Sequence, residues 1–93
     1  MNAMQTFSEL NLHSGKDNER WYARHPSQPN LLFFKGASQR EYYAAAMKDR
    51  QIRKIMPVTL GLDILASKDW EIVKVVTDRK NNVVEIMVLD VDS

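Results

Sequence analysis

The chain has 93 residues, 44% of them apolar and 27% charged, with a net charge of +1, a make-up that suits one ordinary globular domain and excludes a disordered polyelectrolyte. Without a cysteine it forms no disulfide, no Cys-ligated metal centre and no thiol nucleophile, and it fits a reducing compartment. The near-neutral total hides a basic middle: residues 20–54 carry eight lysines and arginines against Glu41 and Asp49, while residues 1–19 and 81–93 are acidic.

No basic stretch followed by an apolar run opens the sequence, and no uninterrupted apolar run of about 18 residues occurs, so the expectation is a cytoplasmic protein with no membrane segment. Leu10 and Leu12 alternate with Glu9 and Asn11, which predicts a short strand within residues 4–12. Residues 13–18 read as a loop, because Gly15, Asp17 and Asn18 favour turn geometry. Arg20-Trp21-Tyr22-Ala23-Arg24 and residues 31–35 read as the strands of a hairpin, joined through Pro26 and Pro29, which lack amide donors. Ser38-Gln39-Arg40-Glu41 has the spacing of a capping box, and the helix formers that follow predict one main helix over residues 38–56, stopped by Pro57. Val58, Leu60, Leu62 and Ile64 alternate with Thr59, Gly61 and Asp63 and predict a strand over 58–66; a short helix capped by Thr59 is the competing reading. Residues 70–77 and 83–91 form the arms of a last hairpin, turned by Asn81 and Asn82. The expected fold class is α+β: a single domain over residues 1–93, mostly an antiparallel sheet of five or six strands with one helix, in the order (β)ββαβββ.

Two histidines, His13 and His25, lack any metal-ligand spacing, and three separate glycines build no phosphate loop, so no metal and no small-molecule cofactor are expected. His25 with Arg24, Glu41 and Tyr42 or Tyr43 holds the residue types of a small metal-independent ribonuclease, the second alternative, although the sequence does not show that these groups converge. No catalytic residue is assigned, and the expectation is a non-enzymatic protein. The basic segment interleaves with aromatics, the mix that grips single-stranded nucleic acid, and assigns Arg20, Arg24, Arg40, Arg50 and Lys54 to that alternative partner.

The leading reading rests on the last hairpin, whose arms are apolar on both faces. One helix covers one face of a sheet; about 400 Å² of second face at ~25 cal/mol per Å² is worth on the order of 10 kcal/mol and demands its own cover. The N-terminal hairpin, a second copy or a foreign protein are the three candidates for that cover. On this basis Val73, Val75, Val83, Met87, Leu89 and Val91 are the candidate protein interface of a small regulatory, inhibitor or adaptor protein, with a homodimer as one form of it.

Overall fold

In a computed structural model, which describes residues 1–89 apart from Ser14, Ala37 and Gln39, every strand pairs antiparallel in one six-stranded sheet. The elements are α1 (Ala3–Leu10), β1 (Glu19–Arg24), β2 (Leu31–Lys35), β3 (Tyr42–Lys48), β4 (Gln51–Val58), α2 (Leu62–Ala66), β5 (Glu71–Thr77) and β6 (Val83–Val88). Across the sheet the order is β4-β3-β2-β1-β5-β6. The α+β class holds, and the hairpins β1–β2 and β5–β6 fall where alternation and turn residues put them. The helical elements do not.

The helix expected over 38–56 is instead the hairpin β3–β4. Its strands pair from Tyr42↔Val58 to Lys48↔Gln51, and β3 also pairs along its length with β2. Alanines favour a helix in isolation, yet Ala44 and Ala45 are fully buried, one on each face, where a larger side chain would hold the packing layers apart. Asp49 and Arg50 both take positive φ, 52° and 59°, giving the two-residue turn that fits a twisted hairpin. Pro57 sits on the outermost strand, where a missing amide is tolerated. The Glu41 carboxylate accepts the Tyr43 hydroxyl at 2.7 Å rather than closing a helix cap.

The strand expected at 4–12 is α1. Asn2 and Gln5 form a reciprocal capping box, and Ala3, Thr6, Phe7 and Leu10 make its buried stripe. Residues 58–66 follow the competing helical reading in part. The short helix α2 begins after Gly61 without a side-chain cap, and Trp70 Nε1 donates to the Ile64 carbonyl at 2.8 Å.

Two apolar layers result. On one face α1 and α2 cover Ala23, Phe33, Ala44, Trp70 and Ile72, with Phe7 meeting Tyr42 and Trp70 edge-on. The other layer draws on all six strands: Tyr22, Leu32, Ala45, Ile52, Val73 and Val83 belong to one cluster. A single sheet achieves this only by curling. Its two edges touch through a bridge between Gln51 and Asn82, with Val83 N donating to the Arg50 carbonyl at 2.6 Å and Ile52 N to the Asn81 carbonyl at 3.3 Å. The chain's own strands are therefore the cover that the second face required.

Candidate functional site

Curling splits the expected interface. Val73 and Val75 are fully buried and Val83 nearly so, inside the curled layer, and none of the three is available to a partner. Val73 and Val75 lie on the interior strand β5, and Val83 turns inward through a register shift between Val76 and Thr77: Val76 pairs with Glu85 but Thr77 with Val83, so Val84 is an extra residue on β6. The bulge turns Val83 inward beside Val75 and leaves Met87 and Leu89 on the opposite face. Val91 lies outside the described residues.

Beyond its bulge, β6 is an open edge. Val84, Met87 and Val88 are 57%, 47% and 50% exposed. Leu89 N donates to the Ile72 carbonyl at 2.8 Å, so by the alternation of an antiparallel ladder the amides and carbonyls of Ile86 and Val88 point away from β5. A shallow apolar pocket lies alongside, lined by Trp21, Lys74, Met87, Val88 and Leu89. His13 stacks on Trp21 with ring centroids 4.4 Å apart, and Lys74 lies 3.8 Å from Glu19.

The cations named from the sequence have unequal situations. Arg24 Nε donates to Glu71 Oε1 at 2.7 Å, an ion pair that occupies it. Arg20 Nη1 donates to the carbonyls of Lys16, Asp17 and Glu19, which fixes the guanidinium without neutralising it. Arg40, Arg50 and Lys54 are exposed, the last two in and after the β3–β4 turn. Of the interleaved aromatics, Phe33 and Tyr22 are buried, and Phe34 stacks on Tyr43 and meets Tyr22 edge-on. Burial holds the Tyr22 phenol above the ordinary tyrosine range, with Arg20 pulling it the other way.

No family model, curated protein or solved structure matches this chain. Function therefore has to be read from its own chemistry.

The ribonuclease set does not assemble. His25 is buried with both ring nitrogens engaged, Nδ1 with the Ser27 hydroxyl at 2.7 Å and Nε2 with the Ser67 hydroxyl at 2.8 Å. Ser27 N also donates to Nδ1, which makes Nδ1 the acceptor and leaves the ring proton on Nε2, facing Ser67. Packed edge-on against Trp70 at 5.2 Å, this imidazole fastens the β1–β2 corner to the segment that enters β5. Arg24, Tyr43 and Glu41 serve other pairs, and Tyr42 packs on Phe7. Among the described residues no group of three or more His, Asp or Glu is placed to hold a metal ion, and no helix is long and apolar enough to cross a membrane.

Proposed function

We propose that this protein acts by binding another protein along β6, with a partner segment adding a strand to the open edge. The observation that carries the reading is the exposure of Val84, Met87 and Val88 along β6, a strand whose outward polar groups at Ile86 and Val88 have no neighbouring strand among the described residues. Main-chain bonds from an extended segment would satisfy those groups, and the pocket beside Trp21 and Met87 would take an apolar side chain of the same segment. Exposed apolar edges of this kind invite indiscriminate pairing unless a partner uses them. Acting by occlusion or as an adaptor requires no catalytic group, and the cysteine-free composition suits a cytoplasmic setting.

The test is capture from nuclease-treated cell extract by tagged protein, comparing wild type with the double variant Val84→Lys/Val88→Lys. Both side chains are exposed, so the fold tolerates the change while the edge becomes charged. Wild type should retain a partner protein that the variant releases. Equal capture by both, or none by wild type, overturns the reading.

A further inference from the structure

The sheet closure also brings together two turns that lie far apart in sequence. The β3–β4 turn carries Lys48 and Arg50, with Arg53 just beyond it, and the β5–β6 turn carries Arg79 and Lys80; all five are exposed. Their backbones are joined by the Gln51–Asn82 bridge, and Gln51 Nε2 donates to the Lys80 carbonyl at 3.3 Å. We propose that this junction, independently of the β6 edge, is a binding site for single-stranded nucleic acid.

The groove beside the junction supplies what such a ligand needs. It is lined by the apolar and aromatic residues Tyr22, Ile52 and Ile55, by Arg20 and Arg79, by Asn18 and Asn81, and by the acidic Asp17 and Asp78. Bases are held by apolar and aromatic surface, phosphates by cations, and base edges by amides. Three carboxylates share the region, Asp17, Asp49 and Asp78. The Asp78 oxygens are turned into their own loop, accepting from Lys80 N at 2.8 Å, Asn82 N at 2.9 Å and Asn82 Nδ2 at 3.1 Å. Asp78 therefore acts as a turn brace more than as a counter-ion for the arginines.

Arg50 provides a second, independent indication. Its φ of 59° is a conformation that glycine adopts without strain and a side chain adopts at a cost, and hairpin turns of this type favour glycine at that position. A cation here spends stability, which is a mark of functional positions. Anionic membrane is the other polyanion to consider, but it presents a plane, whereas Arg20 and Arg79 line a groove.

Fluorescence anisotropy of a labelled oligouridylate of about 12 nucleotides tests the assignment, with vesicles rich in phosphatidylserine as the competing surface. Binding should fall with salt by a log–log slope of about −0.7 for each phosphate neutralised. Arg53→Ala/Arg79→Ala should lower affinity on the order of tenfold and flatten that slope, while Lys68→Ala, remote from the groove, changes neither. Arg50→Gly should move two readouts in opposite senses: melting temperature up by a few degrees and oligonucleotide affinity down. Absence of oligonucleotide binding at low salt, unchanged binding in the Arg53/Arg79 variant, undiminished binding in Arg50→Gly, or preference for vesicles would each overturn the proposal.

Discussion

The two edges of the sheet are built on opposite terms. Along β4 the chain places Arg53, Lys54 and Pro57, three devices that discourage another strand from pairing, and its exposed Ile55 stands among them. Along β6 there is no proline, Glu85 is the only charge, and Val84, Met87 and Val88 are open to solvent. Both edges belong to one sheet and face the same solvent, so the difference is not a requirement of folding. Natural sheets protect edges that must stay free. By that measure β4 carries protective residues and β6, within its described residues, carries few.

The largest effect comes from testing whether the buried valines belong to an edge at all. Val75→Asp should unfold the protein, costing at least about 4 kcal/mol in urea denaturation, because it places a charge in a closed apolar layer. A folded Val75→Asp protein that had merely lost a partner would show that the layer is an open interface.

Removing the protection of β4 should make the edges alike. Arg53→Val/Lys54→Val is expected to give concentration-dependent association by light scattering, with little change in monomer stability. If the variant stays monomeric at high concentration, charge is not what guards that edge. The reverse change on β6, Val88→Lys, should shift stability by no more than about 0.5 kcal/mol, because the side chain is half exposed. A much larger loss, measured in the same denaturation, would place Val88 in the core.

The smallest effect concerns the corner where the edges meet. The Asn82 side chain, with the backbone amides of Asn82 and Lys80, holds the Asp78 carboxyl below its ordinary pKa. A depressed carboxyl stabilises the fold while it is ionised, so its contribution is present above the ordinary carboxyl range and lost as pH falls through the lowered value. The protection factor for hydrogen exchange at Val83 N, which reaches across to Arg50, should therefore fall in acid, and Asp78→Ala should remove most of that pH dependence. A protection factor at Val83 that ignores pH in the wild type would mean the turn does not govern the closure.

How far the sequence could be read is clearest from particular residues. The hairpins at 19–35 and 71–88 were legible because β-prone runs bracket strong turn chemistry, and Asn81 takes its expected positive φ of 63°. Helix α1 reads wrongly as a strand from the sequence, because the alternation at Leu10 and Leu12 outweighs the Asn2–Gln5 cap and the stripe of Ala3, Phe7 and Leu10. The β3–β4 hairpin was concealed by its alanines, because Asp49-Arg50 lacks the glycine that normally announces such a turn. For the candidate sites, Met87 and Leu89 were identifiable as apolar residues of a terminal strand. The inward turn of Val83 was not, because it depends on one bulge.

Local chemistry, then, set this protein's fold class, its hairpins β1–β2 and β5–β6 and its basic middle, since turn residues and alternation act within a few positions of the chain. Tertiary structure decided what covers the apolar hairpin and which residues remain exposed. Closing the curl requires Gln51 to meet Asn82 and a bulge to reverse one side chain. Both are consequences of long-range pairing, in which the burial of a whole face outweighs the preferences of any short segment.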